Sequence, residues 1–209
     1  MILSILIISI IFNVYALYKV NDYKYKLEKK SYTYIEEIRQ RNESNMEILS
    51  KSLKNNTIKN EELLKLYKNY DVIANDIMGL WQQYAVYNGN NLNSFIRKKS
   101  INSNKAIEND VHGYIEEYIL CNLNNEMKNE RNKLSIDDEY YVCFKSMYEM
   151  SEELDDYFNE FNTNRLHGTS GEERERIIIK NHYWVDMLRG IYDIGDNYMN
   201  VQWKIEIKE

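Results

Sequence analysis

Proline is absent from this sequence, and glycine occurs only 7 times in 209 residues. Proline removes a backbone hydrogen-bond donor and glycine weakens a helix interior, so a chain with so little of either can form long, unbroken helices. Charged residues make up 29% of the chain, which is typical of a solvated helical surface. The composition therefore predicts an all-α protein with room for one hydrophobic core.

Cysteine is also scarce, since the chain has only Cys121 and Cys143. They form no C-x-x-C motif, which excludes a zinc site of that type and a disulfide-rich secreted scaffold. We interpret them as two partly buried thiols. The alternative is one disulfide: if the flanking helices form a hairpin that turns near Lys133, the cysteines lie 12 and 10 residues from the turn. Such a bridge would form only outside the cytoplasm.

A strong charge of one sign is missing as well. The 27 Lys and Arg and the 33 Asp and Glu give a net charge of -6 and are mixed along every segment. Mixed charges of this kind are typical of the exposed faces of helices. No basic stripe is visible outside the first segment, so we expect no nucleic-acid partner.

One long apolar run is present at the start. Residues 1–18 contain no charged side chain, and as a helix they extend over about 27 Å, close to the thickness of the hydrocarbon core of a bilayer. Tyr15, Tyr18 and Lys19 follow the order of an aromatic belt and a charged stop. We interpret residues 1–18 as a single transmembrane anchor that is retained, and residues 19–209 as a helical bundle domain.

Two alternatives for the apolar run stay open. A secretory signal would be removed, and residues 14–16 (VYA) could serve as its cleavage site, but no basic region precedes the run. A buried soluble helix would need protein on every side, because the run is apolar on all its faces.

The orientation of the anchor follows from its flanks. Five lysines lie just after the run, opposed only by Asp22 and Glu28, and none precedes it. The positive-inside rule then predicts a single-pass protein of the cell membrane with its bundle in the cytoplasm. An extracytoplasmic bundle is the alternative, since a basic region upstream of the present start would reverse the orientation. The five lysines are Lys19, Lys24, Lys26, Lys29 and Lys30.

Helical periodicity continues through the rest of the chain. Apolar residues recur every three or four positions, which predicts helices with coiled-coil-like packing. The N-terminal transmembrane helix is therefore expected to continue into an antiparallel bundle of about five helices. The expected helices are one ending near Leu53, one between turns at residues 54–57 and 88–91, a third at 101–133, a fourth from Ser135, and a last one from 171 to about 205.

Polar residues interrupt the apolar seam of the last helix. Asn181, Gly195 and Gln202 occupy heptad positions that are otherwise apolar. Polar residues in such a seam fix register and partner choice at some cost in stability. We therefore regard these three as candidates for setting the register with a partner helix.

No catalytic motif is complete in the sequence. Residues 167–173 (HGTSGEE) lack the lysine of a phosphate-binding loop, so we interpret Ser170 and Glu173 as a capping box at a helix start. Neither a nucleophile elbow nor a paired Cys and His signature occurs. The aromatic side chains recur at helical spacing, so we interpret the three tryptophans as core. They are Trp81, Trp184 and Trp203.

A metal site has only a partial signature. Glu108, His112 and Glu116 lie four apart on one helix face, but a di-metal site in a helical bundle needs ligands from several helices. We interpret His112 as a surface residue between ion-pairing acids, and we expect no metal and no cofactor. The other two histidines, His167 and His182, have no evident partner in the sequence.

These patterns favour a non-enzymatic function. The leading hypothesis is a membrane-anchored bundle that acts as an interaction scaffold or assembly factor, with another protein or a second copy of itself as partner. The second is an extracytoplasmic sensor or ligand-binding bundle that signals through a partner. The third is a metal-dependent bundle enzyme, which predicts stoichiometric iron or manganese.

Overall fold

The computed structural model describes the backbone of residues 2–89 and 110–203, and the side chains within these ranges except at 2–5, 88, 89 and 139. The chain is mostly helical and its helices pack together, which confirms the all-α prediction. The elements in chain order are α1 (Ile2–Asn55), β1 (Thr57–Lys59), α2 (Asn60–Gly89), α3 (Val111–Lys128), β2 (Lys133–Ser135), α4 (Asp138–Leu166), α5 (Gly171–Asn181) and α6 (Tyr183–Asn197).

Helices α1 and α2 form an antiparallel hairpin. Ser31, in the middle of α1, donates its hydroxyl to the side-chain oxygen of Gln83 near the end of α2. Lys51 near the end of α1 lies 2.7 Å from Glu62 at the start of α2. Helix α4 is also antiparallel to α1, and the other helices complete the bundle around these two pairs.

The helices share one hydrophobic core, because each presents an apolar stripe at helical spacing. All three tryptophans are buried in it, as predicted. Burial of such large side chains supplies most of the favourable free energy of folding. The largest fully buried side chains are Trp81, Trp184, Tyr70, Phe144 and Phe158.

A short antiparallel sheet joins the loops of the bundle, and the periodicity did not predict it. Strand β1 pairs with β2, and Ile58 lies opposite Leu134 with both side chains buried. Asn56, at φ 50°, makes the left-handed turn out of α1. The turn expected at residues 54–57 therefore leads into a strand, and three-residue strands are too short to show an alternating pattern.

The single last helix expected from 171 to 205 is wrong, because the chain turns at His182. This residue has φ 55°, and its amide donates to the carbonyls of Ile178 and Ile179, which ends α5. Helix α6 begins at the next residue and ends at Asn197. The third helix is also shorter than expected within the described residues, which do not include 101–109.

The start of α1 is an exposed apolar helix. We call residues 6–18 the stalk; every one of them is exposed. Within residues 2–89 and 110–203, no helix combines the length and the apolarity needed to cross a membrane. The transmembrane interpretation of residues 1–18 is therefore not supported by the described residues. Met1 and the side chains of 2–5 lie outside the described residues.

Candidate functional site

The stalk is apolar on every side. Its large apolar side chains are between 50% exposed at Ile7 and 69% exposed at Phe12. The side-chain amide of Asn13 donates to the carbonyl of Ser9 at 2.8 Å, so part of its polarity is satisfied within the helix. Exposed apolar surfaces of this extent are uncommon in soluble monomeric proteins and are typical of sites that contact another molecule.

A buried polar junction holds α1 to the bundle below the stalk. Glu28 is only 7% exposed, and its Oε1 lies 2.8 Å from Nδ1 of His182. Its other oxygen accepts a hydrogen bond from Nε1 of Trp184. The ring of Tyr87 packs on both, with centroids 5.3 Å from His182 and 5.7 Å from Trp184. Both oxygens of the buried carboxylate are therefore partnered, as burial requires.

A cavity of about 830 Å³ opens between the junction and the stalk, and we call it the basal pocket. Its basic side chains are Lys19, Lys24 and Lys180, and its apolar side chains include Val20, Leu27 and Ile179. Among the described residues of this lining, Glu28 contributes the one carboxylate, and it is already paired with His182. The pocket is therefore amphipathic and carries a net positive charge.

A second cavity, of about 360 Å³, lies between α2 and α3, and we call it the acidic groove. Asp71, Asp110, Glu116 and Glu117 line it, and among the described residues no Lys, Arg or His does. Burial raises the pKa of Glu116, and the charges of the other three carboxylates raise it further. The like charges repel one another, so this groove is electrostatically complementary to a cationic group.

The interpretation of His112 as a surface residue is wrong. His112 is only 2% exposed, and its Nδ1 lies 3.0 Å from Oδ1 of Asp110. The same oxygen accepts a hydrogen bond from the backbone amide of His112, which makes Asp110 the N-cap of α3. Glu108 lies outside the described residues, and Glu116 faces the acidic groove. Within the described residues, no group of three or more His, Cys, Asp or Glu side chains is placed to hold a metal.

The capping box expected at Ser170 and Glu173 is also wrong. Ser170 is the N-cap of α5, but its side chain makes no capping hydrogen bond. Glu172 and Glu173 still lie in the first turn, where carboxylates interact favourably with the helix dipole. The helix is held instead by Arg174, which is buried against α1 and α4.

The three register candidates do not share one helix. Asn181 ends α5 and donates to the carbonyl of Ile177 at 2.9 Å. Gly195 is buried in α6, where it packs against Val111 of α3. Gln202 follows α6 and accepts a hydrogen bond from Sγ of Cys143 at its carbonyl. The turn at His182 separates the first from the other two, so their role in partner register stays a prediction.

Cys121 and Cys143 form no disulfide with each other in this structure. Cys121 is exposed on α3, whereas Cys143 is buried on α4. The interpretation as two partly buried thiols therefore holds for Cys143 and not for Cys121.

Comparisons of the chain with protein-family models, curated proteins and solved structures found no match. The functional assignment therefore depends on the stalk, the junction and the two cavities. Sequence reasoning missed the junction, because Glu28 and His182 are separated by 154 positions and no local pattern connects them.

Proposed function

We propose that this chain is a membrane-attached helical bundle with a non-enzymatic role in protein interaction. The observation that carries the proposal is the stalk, an exposed apolar segment of a helix whose later part packs into the core through Ile35, Ile38 and Leu49. A lipid bilayer covers a helix on every side, whereas a single protein groove covers one face. Residues 1–5 also lack charge and extend the apolar run, so residues 1–18 together form the proposed single-pass anchor.

The proposed orientation places the bundle in the cytoplasm. Five lysines follow the stalk within residues 19–30 and outnumber the two acids of that stretch. The positive-inside rule supports this side of the membrane.

The acidic groove supports the interaction role. Four carboxylates lie beside Met78 and Tyr114, which are 39% and 42% exposed. A basic segment of a partner protein with an apolar anchor would relieve the repulsion among the carboxylates and cover the two apolar side chains. We therefore propose that the partner presents such a segment to the groove between α2 and α3.

Charged substitutions in the stalk test the attachment. The double variant Ile10→Asp, Ile11→Asp is expected to dissociate from membranes washed at alkaline pH. Each aspartate at the centre of a membrane helix makes the free energy of insertion less favourable by about 2.5 to 3.5 kcal/mol. Met127→Asp with Val142→Asp is the matched control, since these residues are 62% and 59% exposed outside the stalk. Attachment that persists in the stalk variant, or wild-type protein that does not sediment with membranes, would contradict the proposal.

Photo-crosslinking from two tyrosine positions tests the partner surface. Tyr114 at the groove and Tyr141 on α4 are 42% and 43% exposed. A benzophenone amino acid at position 114 is expected to capture one protein in intact cells, and the same group at 141 is not. The Glu116→Gln, Glu117→Gln double variant should abolish capture at 114, because it removes two groove charges. Equal capture at both positions would rule out the groove as the partner site.

A further inference from the structure

We propose that the basal pocket binds the headgroup of an anionic glycerophospholipid, with the phosphate between Lys24 and Lys180 and an acyl chain along the apolar wall. This inference rests on the proposed membrane attachment and names the lipid that the attached protein would select. Its basis is the combination of charge, apolar lining and position that one cavity provides.

The charges of the pocket favour an anion. Lys24 of α1 and Lys180 of α5 form no salt bridge with any described residue, and both line the cavity. Lys19 lies over the ring of Tyr15 at 5.7 Å, at the upper rim. The neighbouring carboxylates already have partners. Glu28 pairs with His182, Asp22 with Lys26, and Glu175 with Lys29. An incoming phosphate therefore meets the ammonium groups of Lys24 and Lys180, which have no counter-ion among the described residues.

The apolar side of the pocket suits a lipid better than a free anion. Val20 and Leu27 of α1, Val86 of α2 and Ile179 of α5 all contribute to the lining. A small hydrated anion gains nothing from these side chains, whereas an acyl chain removes them from water. The volume of about 830 Å³ is within the range of cavities that take molecules much larger than inorganic phosphate.

The position of the pocket matches the depth of lipid headgroups. Lys24 follows the last stalk residue, Tyr18, by six positions, which is about 9 Å along a helix. The headgroup layer on each side of a bilayer is about 5 to 8 Å thick. If the stalk lies in the hydrocarbon core, Lys24 therefore lies at the level of the lipid phosphates or just outside the headgroup layer. Basic pockets at this depth bind anionic lipids.

The buried polar junction forms a preformed wall of the pocket. Glu28 and His182 form one wall, and Trp184 and Tyr87 support them from the core. Lys24 of α1 and Lys180 of α5 line the same pocket as this wall. A preformed wall lets a ligand bind with less ordering of the protein than a wall that must form on binding.

Calorimetric titration of the full chain in a neutral detergent tests the proposal. The probes are short-chain phosphatidylglycerol, phosphatidylcholine of the same chain length and inorganic phosphate. Phosphatidylglycerol is expected to bind wild-type protein about tenfold or more tightly than the other two. Lys24→Glu with Lys180→Glu should lose this preference, and the milder Lys24→Gln with Lys180→Gln should lose part of it.

Lys65→Glu with Lys68→Glu is the matched control, because it makes the same change in net charge at exposed sites of α2 about 30 Å along the helix from Tyr87. The control should bind like the wild type. Equal weakening in the pocket variant and the control would overturn the site, since it would show a response to net charge alone. Phosphate that binds as tightly as the lipid would overturn the lipid assignment.

Flotation of wild-type protein with pure phosphatidylcholine vesicles separates this inference from the membrane proposal. Flotation without any preference for phosphatidylglycerol in the titration would overturn the pocket and leave the attachment intact. Binding of phosphatidylglycerol in detergent by a protein that fails to float would overturn the attachment and leave the pocket as a lipid site.

Discussion

Gly190 shows how a single residue sets the spacing of two helices. A Cβ at this position of α6 would overlap the ring of Tyr157 on α4, and that ring is held by its hydroxyl, which donates to the carbonyl of Asp186 at 2.9 Å. Gly190→Ala is expected to lower the free energy of unfolding by about 1 to 3 kcal/mol, because overpacking outweighs the better helix propensity of alanine. Urea denaturation measures the change.

Gly113 provides the control for this prediction. A Cβ at Gly113 of α3 would meet nothing within 4 Å. Gly113→Ala should therefore raise the free energy of unfolding by about 0.5 to 1 kcal/mol through helix propensity alone. A loss of stability at both glycines would mean that packing against Tyr157 is not the cause.

Asp76 makes stability depend on pH. Burial, and to a lesser extent the negative charge of Glu37, raise its pKa from 3.8 to about 7, while the positive charges of Arg41 and Lys30 act in the opposite direction. Because the folded state holds this proton more tightly than the unfolded state, its contribution to stability is complete below pH 3.8 and is lost as the pH rises through about 7. Asp76→Asn should therefore raise the midpoint of thermal unfolding at about pH 8, and the gain should vanish near pH 4.

Asp156→Asn is the control for Asp76, since Asp156 is an exposed carboxylate on α4. It should leave the pH profile of the wild type unchanged. A stabilisation by Asp76→Asn that is the same at both pH values would show that the carboxyl proton is not its source.

At the scale of elements, α5 is fastened to the bundle by Arg174. Its Nε lies 2.8 Å from Glu36 of α1 and its Nη1 lies 2.6 Å from Asn162 of α4. Arg174→Met is expected to lower the free energy of unfolding by at least about 2 kcal/mol, since among the described residues it leaves the largely buried carboxylate of Glu36 with Arg39 as its one ion-pair partner. Adding Glu36→Met should recover most of that loss in a double-mutant cycle.

Arg176→Met is the matched control in the same helix. Arg176 pairs with Glu173 at 3.8 Å while both side chains are mostly exposed, so its removal should change stability little. Independent, additive effects of Arg174→Met and Glu36→Met would contradict the proposed fastening of α5 to α1.

The observed bounds of the helices and strands show which of them the local sequence pattern could predict. Helix α2 begins at Asn60, after the turn expected at residues 54–57, because the apolar periodicity that predicted it lies within its own residues. The turn expected at 88–91 falls largely outside the described residues. The division between α5 and α6 was not predicted, since His182 adopts a left-handed conformation that is uncommon for a residue other than glycine and the apolar periodicity continues across it. The strands β1 and β2 were missed because they are short and because their central pair, Ile58 and Leu134, is separated by 76 positions in the sequence.

At the scale of the whole molecule, labelling of Cys121 can show on which side of the membrane the bundle lies, because this thiol is exposed. Cys121 is exposed and Cys143 is 7% exposed, so a membrane-impermeant maleimide should modify the native protein at Cys121. For a cytoplasmic bundle, we expect labelling only after cell lysis. Cys121→Ser should remove the signal in lysed cells, and Cys143→Ser should not. Labelling of Cys121 in intact cells would place the bundle outside and favour the sensor hypothesis.

The sequence by itself determined the helical class, the apolar faces of the helices and the uncharged run at the start, because each of these is a property of neighbouring residues. Only the tertiary structure decided that His112 is buried, that Ser170 makes no capping bond and that Glu28 meets His182 and Trp184. The basal pocket depends on the same meeting of α1, α2 and α5. Contacts between residues distant in the chain are set by how the helices cross, and helix crossing leaves no periodic signal in any one segment.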